Sequence, residues 1–338
     1  MTETRTWVLK KRPTVDIEAD TLQLTEYTLP ALKDGEFLLR NILLSLDATN
    51  RIWMSDWDSY LPPVDLGAGM RGIVVGEVME SRHKDFPKGG LATGVSTWSE
   101  YVVSNGAGLQ PLAAMPGLKT EDAFGVMAIA GPTAMIGLHD IGRIKKGDTV
   151  VVTAAAGAVG MLTGQIARLH GCRTIGIAGG AEKCKWLTEE FGYDHAIDYK
   201  KENVEARLKA LAPDGVDVHF ENVGGAMLDA GLHAMKLGGT VVICGLIASY
   251  NSTEPVPGPY NFREVIFKRL RIEGFVCLDY MAKYPEYQQQ LGKWILEGKL
   301  KYRLHVVDGI EHAVDTLKLL YSGGNHGKLM VRLGADPK

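Results

Sequence analysis

In the 338-residue chain, the segment TVVVTAAAGAVGMLTGQIARLHG (149–171) sets a glycine-bearing turn between a run of valines and a stretch with helical spacing of Val159, Leu162, Ile166 and Leu169. A strand, a turn and a helix N-terminus in that order suit pyrophosphate. The glycines permit a tight turn and close approach of the backbone, and the helix supplies amides and a partial positive charge. Gly157 and Gly160 take the second and third places of this fingerprint with Ala158 and Val159 between them, while Ala155 replaces the first glycine. About 20 residues on, an NAD site presents an acid to the ribose hydroxyls; here the sequence is GIAGGAEKCKW. Gly179 and Gly180 offer no carboxylate, and Lys183 brings an ammonium that would attract a 2′-phosphate, so the expected cofactor is NADP(H). Three further segments end predicted strands, on the edge where a doubly wound sheet binds its ligand: FENVGG with Asn222, GLIASYN with Ser249 and Tyr250, and FVCLDY. Asn222 also suits a plain turn, and Tyr250 also suits a surface ring.

Two kinds of texture must position these residues. From about residue 1 to 125 the chain reads as short β-runs punctuated by Gly, Pro and Asp, which predicts a compact barrel or sandwich. Beyond it, TVVVTA, CRTIGIA, HAIDY, VDVHFE, GTVVICG and LRIEGFV alternate with the helical patterns AEKCKWLTEEFG, NVEARLKALA, GAMLDAGLHAMKLGG and NFREVIFKRL. Six strands with helices between them predict a doubly wound parallel sheet, an α/β Rossmann domain. The final KLMVRL reads as a strand that rejoins the first domain. A net charge of −3, spread along the chain, gives no basic footprint, so nucleic acid is not an expected partner. The N-terminus lacks an apolar run and no stretch of about 18 apolar residues follows, so no membrane partner and a cytoplasmic location are expected. Cys172 and Cys244 sit in strand-like runs as small core residues, and no cysteine pair has metal-ligand spacing.

With AAAGAVG, IDYK, FENVGG, CGLIASYN and GGNHGK in this order, the chain resembles the zinc-free medium-chain dehydrogenase/reductase superfamily. Within it, the likeness is to the leukotriene B4 12-hydroxydehydrogenase / prostaglandin reductase and curcumin reductase / alkenal double-bond reductase group. The resemblance covers nearly the whole chain and is most specific from 154 to 328. It implies a GroES-like catalytic β domain (1–125), a Rossmann NADP-binding domain (126–300), a C-terminal return to the catalytic domain (301–338), and a homodimer. It further implies that Gly157–Gly160 carries pyrophosphate, that Lys183 and Tyr199 take the 2′-phosphate, and that Asn222 serves the adenosine side. Cys244, Gly245, Leu246, Ile247, Ser249 and Tyr250, with Phe275, Val276 and Cys277, would flank the nicotinamide ribose and ring. Asn325 would close over the cofactor.

The likeness has departures. Zinc-dependent relatives hold a catalytic metal with Cys and His; here Asp47 and the His-free GAGMRGIVVG stand at those places, so no metal is expected and zinc alcohol dehydrogenation is disfavoured. Many group members read D-P-Y-M-R where this chain has Asp47-Ala48-Thr49-Asn50-Arg51, and T-A-Y where it has Thr133-Ala134-Met135. Thr49, Asn50 and Tyr60 are the residues expected to line the substrate pocket; Trp53, Trp57 and Tyr60 either refill it or pack the first domain. The implied reaction is reduction of the conjugated C=C bond of an α,β-unsaturated ketone or aldehyde. Hydride addition at the β-carbon leaves an enolate oxygen that needs a donor, and a tyrosine keeps its proton at neutral pH with an unperturbed pKa of about 10. Tyr250 is the expected donor. The alternatives are an NADPH-dependent quinone reductase on the same scaffold and a non-catalytic NADPH-binding protein.

Overall fold

The computed structural model describes residues 2–112, 116–252, 254 and 256–336. The chain divides into two compact units, Met1–Ala128 with Leu304–Lys338, and Ile129–Arg303. In the first, β1 (Glu3–Leu9) and β2 (Leu22–Thr28) form an antiparallel hairpin, followed by β3 (Phe37–Ser45), β4 (Arg71–Ser81), β5 (Leu91–Thr97), β6 (Tyr101–Ser104) and β7 (Leu109–Leu112). Eight of the nine residues of β3, FLLRNILLS, are buried, because antiparallel neighbours β4 and β6 flank it and the unit's core packs on it. Two short helices belong to this segment, α1 (Thr49–Met54) directly after β3 and α2 (Thr120–Met127).

The second unit holds β8 (Thr149–Val152), β9 (Arg173–Ala178), β10 (His195–Asp198), β11 (Val216–Glu221), β12 (Met235–Ile243) and β13 (Arg271–Gly274). Their order across the sheet is β10-β9-β8-β11-β12-β13, and every pairing is parallel. This is the doubly wound Rossmann order, with its reversal between β8 and β11. Val150, Val151, Val152, Ile175, Phe220 and Val241 are all fully buried, as expected of parallel strands covered on both faces. The helices are α3 (Ala130–Ile136), α4 (Ala158–Leu169), α5 (Ala181–Lys185), α6 (Val204–Leu211), α7 (Gly225–Ala234), α8 (Glu264–Phe267) and α9 (Tyr284–Leu296).

The chain then returns to the first unit as β14 (Leu304–Asp308), α10 (Ala313–Ser322) and β15 (Lys328–Arg332). β15 pairs antiparallel with β3 and parallel with β14, which completes a sheet of order β14-β15-β3-β4-β5-β7. One helical run among the described residues, Thr120–Ile141, has the length and apolar content to cross a bilayer, and 78% of its apolar 18-residue window is buried inside the protein.

Several local expectations are corrected. Leu169, expected on the apolar side of α4, is 41% exposed, while Met161 through Ala167 are all buried, Thr163 and Gln165 included. Helix α4 lies between the sheet and α3, so it has no wide polar face; Thr163 Oγ1 donates to Val159 O, and Gln165 Nε2 donates to Met161 O and Lys301 O. The helix expected across 225–239 ends at Ala234, where β12 already begins. NFREVIFKRL forms only the single turn α8, and β14 was not expected at all.

Candidate functional site

The turn after β8 is held by short backbone contacts. Thr153 N donates to Phe220 O at 3.1 Å and Ala155 N to Ile177 O at 3.0 Å, so the neighbouring strands fix where the turn begins. Gly157 is the N-cap of α4 in extended conformation, and no side chain caps the helix. The first amides of a helix have no partners within it, and the macrodipole adds partial positive charge there, so this end is suited to an anion. A Cβ on Gly160 would fall 2.4 Å from Ala154 O and 2.7 Å from Ala155 Cα, which is backbone and cannot step aside. Ala155 itself is fully buried beneath the turn. The Gly160→Ala variant is therefore expected to lose about 1–3 kcal/mol of stability, seen as a lowered melting temperature; an unchanged melt would show that the turn can widen.

At the end of β9, glycine leaves room for side chains that follow β10. The space a side chain would occupy at Gly179 is already taken: its Cβ would lie 2.9 Å from the Tyr199 hydroxyl and 3.0 Å from Lys200 Cε. Lys183, on α5, is half-buried, and its pKa is lowered by burial first and then by the nearby Lys200 ammonium, against a raising influence of Glu182. Two ammoniums and a phenol thus gather around the end of β9. Asp198, an acid beside them, accepts from Gly180 N at 2.8 Å and Lys200 N at 3.1 Å and so holds the loops in place. Lys183 and Tyr199 were expected here. Lys200 was missed, although IDYK placed it one residue past the strand end and next to Tyr199.

The turns after β11 and β12 interlock. Asn222 donates from Nδ2 to Thr153 O at 2.7 Å, so its amide braces the first turn. Ile247 N donates to Asn222 O and Ala248 N to Val223 O, seating the single 3-10 turn Ile247–Ser249 against FENVGG. Ser249 Oγ donates to Leu246 O at 2.7 Å, and Leu246 N donates to the Tyr250 hydroxyl at 3.0 Å. The phenol oxygen is the acceptor in that bond, and a phenol can both accept and donate. Gly245 lies alongside, its Cβ position 3.5 Å from the same hydroxyl. Burial pushes the Cys244 thiol up, and Cys277 and Glu221 add to the shift. Phe275 and Val276 continue from β13 towards Cys277; the Phe275 ring meets Tyr280 edge-on at 6.4 Å. Gly157–Gly160, Lys183 with Tyr199, Asn222, Cys244–Tyr250 and Phe275–Cys277 all follow the C-terminal ends of parallel strands in the second unit.

In the first unit Thr49 Oγ1 and the Tyr60 hydroxyl are hydrogen-bonded to each other. Asn50 departs from its expected lining role. It is 1% exposed, with Oδ1 accepting from Asp47 N at 2.8 Å and Nδ2 reaching Arg71 O, so it holds the turn that carries Thr49. Trp53 packs in the core at 3% exposure, whereas Trp57 and Tyr60 remain partly exposed. Asp47 accepts from Lys328 Nζ at 2.6 Å and from Ser45 Oγ, so its carboxylate is committed to a buried ammonium. Among the described residues no group of three or more His, Cys, Asp or Glu is arranged to hold a metal ion. Asn325 is buried before β15, its amide donating to Gly327 O at 2.9 Å and shaping that turn.

Residues 5–112 match the family described as N-terminal domain of oxidoreductase, and residues 158–296 the family described as zinc-binding dehydrogenase. The chain is 40% identical to the NADPH-dependent curcumin reductase of Escherichia coli, over 98% of this chain and 97% of that protein. It is 39% identical to the NADP(+)-dependent 2-alkenal reductase of Nicotiana tabacum, over 89% and 88% of the two chains. Among solved structures, CurA from Vibrio vulnificus in complex with NADPH superposes with a TM-score of 0.91 at 38% identity, covering 98% of this chain and 100% of that one.

Proposed function

We propose, for a chain that belongs to the medium-chain dehydrogenase/reductase superfamily and within it to the curcumin, prostaglandin and alkenal reductase group, that it reduces the conjugated C=C bond of small α,β-unsaturated ketones and aldehydes with NADPH. It is an NADP-dependent oxidoreductase acting on C=C bonds. The single observation that carries the finer reading is the place of the Tyr250 hydroxyl, hydrogen-bonded by the Leu246 amide on the turn that follows the C-terminal end of β12.

NADPH, when bound, supplies the hydride. The remaining chemistry falls to the chain. The Gly157–Gly160 turn and the uncapped end of α4 are the groups assigned to pyrophosphate, and the Lys183, Lys200 and Tyr199 cluster to the 2′-phosphate. Asn222, Cys244–Tyr250 and Phe275–Cys277 are assigned to the rest of the cofactor as walls and turn braces. Tyr250 donates its hydrogen bond to the substrate's carbonyl oxygen, where negative charge grows as the β-carbon is reduced; a preorganised donor there stabilises the enolate without reorganisation. Solvent returns the proton to the α-carbon. Thr49 and Tyr60 are the polar groups assigned to the substrate wall.

A panel of enones, enals and simple quinones with NADPH, followed by product identification, tests the reading. Saturated ketones and aldehydes are the expected products. Turnover confined to quinones with semiquinone formation, or NADPH binding without turnover of any acceptor, would overturn it.

A further inference from the structure

Beneath the three strand-end turns lies a buried carboxylate–imidazole pair that none of the assignments above uses. Glu221, the last residue of β11, and His219 have side chains with no exposure to solvent. A carboxylate so deep persists only if its lone pairs are filled. Oε2 accepts from His219 Nε2 at 2.6 Å; since an ionised carboxylate only accepts, the ring proton lies on Nε2. Oε1 takes three donors: Thr153 Oγ1 at 2.8 Å, 68 residues away in sequence, Gly224 N at 2.9 Å, and Val223 N. Burial pushes the Glu221 carboxyl up, but the bonds from His219 and the two amides outweigh it and hold the group below the usual carboxylate range.

The network extends to three of the strand-end turns. Thr153 Oγ1, while donating to Glu221, accepts from Asn222 N at 2.8 Å. The backbone carbonyl of Glu221 accepts from Cys244 N at 2.9 Å and Gly245 N at 3.1 Å, at the start of the turn that carries Tyr250. From below, His219 is fixed by α7: a Cβ on Gly231 would lie 2.5 Å from its ring. One residue therefore touches the turns after β8 and β11 by its side chain and the turn after β12 by its main chain.

We propose that Glu221 is a positioning residue for the cofactor, its buried carboxylate acting through Thr153 and the amides of Val223 and Gly224 to set the spacing between the pyrophosphate turn and the turns that bear Asn222 and Tyr250. The inference rests on the dinucleotide reading of this crevice. Its decisive variant is Thr153→Val, which removes the hydroxyl that joins the first turn to the second and leaves the His219–Glu221 pair intact. NADPH binding, followed by quenching of protein fluorescence, is expected to weaken about tenfold or more in Thr153→Val, and to return to within about twofold of the parent in Thr153→Ser, which keeps the hydroxyl. Glu221→Gln is expected to weaken it at least as much, and Thr153→Val added to Glu221→Gln to cost less than it does alone, because the two residues act as one unit. Parent-like NADPH affinity in Thr153→Val, or a Thr153→Ser as weak as Thr153→Val, would overturn the proposal and leave the pair a purely structural one. Should Glu221→Gln fail to fold, the two Thr153 variants still decide. A parent protein that does not bind NADPH would instead strike the cofactor reading itself.

Discussion

Tyr250→Phe is expected to reduce kcat with an enone by about 10²–10³-fold, the usual effect of removing one donor to a developing oxyanion. The substitution keeps the ring and deletes only the hydroxyl. Its second consequence, loss of the acceptor for Leu246 N, is mild because that turn is half-exposed and water can take the bond. NADPH affinity should therefore hold nearly steady while turnover collapses. A fall in kcat with KM for the substrate little changed is the signature of a bond formed mainly in the transition state. Parent-like turnover would remove Tyr250 as the donor and leave it a wall of the crevice.

Lys183→Ala is expected to weaken NADPH by about 10–100-fold and NADH by less than about twofold. The first figure is the loss of one charge-assisted bond to phosphate, and the second reflects that the other dinucleotide presents only a neutral hydroxyl at that position. Lys200 remains and tempers the loss, so the Lys183→Ala, Lys200→Ala double variant should go further. A pH dependence follows with a definite sign. The lysine attracts phosphate only when protonated, and burial together with Lys200 lowers its pKa below that of an ordinary lysine. NADPH affinity is thus fully present below that lowered value and is lost as pH rises through it, sooner than for an exposed lysine, whereas NADH affinity stays flat. Fluorescence titrations with both cofactors from roughly pH 7 to 10 check this. Equal losses for the two cofactors in Lys183→Ala would refute the role.

The sequence reveals the parallel sheet well because two-sided burial makes each strand a plain apolar run, as in Val150–Val152 and Ile175–Ala178. It makes Lys183 a candidate because a missing acid is visible at a known distance from a glycine turn. It hides features that depend on neighbours distant in sequence. The burial of Thr163 and Gln165 is set by α3 and by Lys301 rather than by the helical stripe. Asn50 disappears into the turn at Asp47 through contacts that no spacing rule reports. Glu221 reads as an ordinary strand-end acid until Thr153, His219 and two amides are found around it. Strand β14 is half-exposed along most of its short length, so its pattern is weak until β15 supplies the partner.

The pairing of β15 with β3 also sets an order of events during synthesis. Lys328 and Asp47, joined at the end of that pairing, are 281 residues apart, so a ribosome working at its usual pace needs roughly 15 to 55 s to make one after the other. The contiguous stretch 129–303 emerges whole within that interval and can fold while still tethered, whereas residues 43–45 at the end of the nascent β3 wait for β15 with their hydrogen-bonding groups unpaired on that side. Slow translation or a shortage of chaperones would therefore tell first on the unit that carries β3, as insoluble product at the stage of expression, with the nucleotide half already formed.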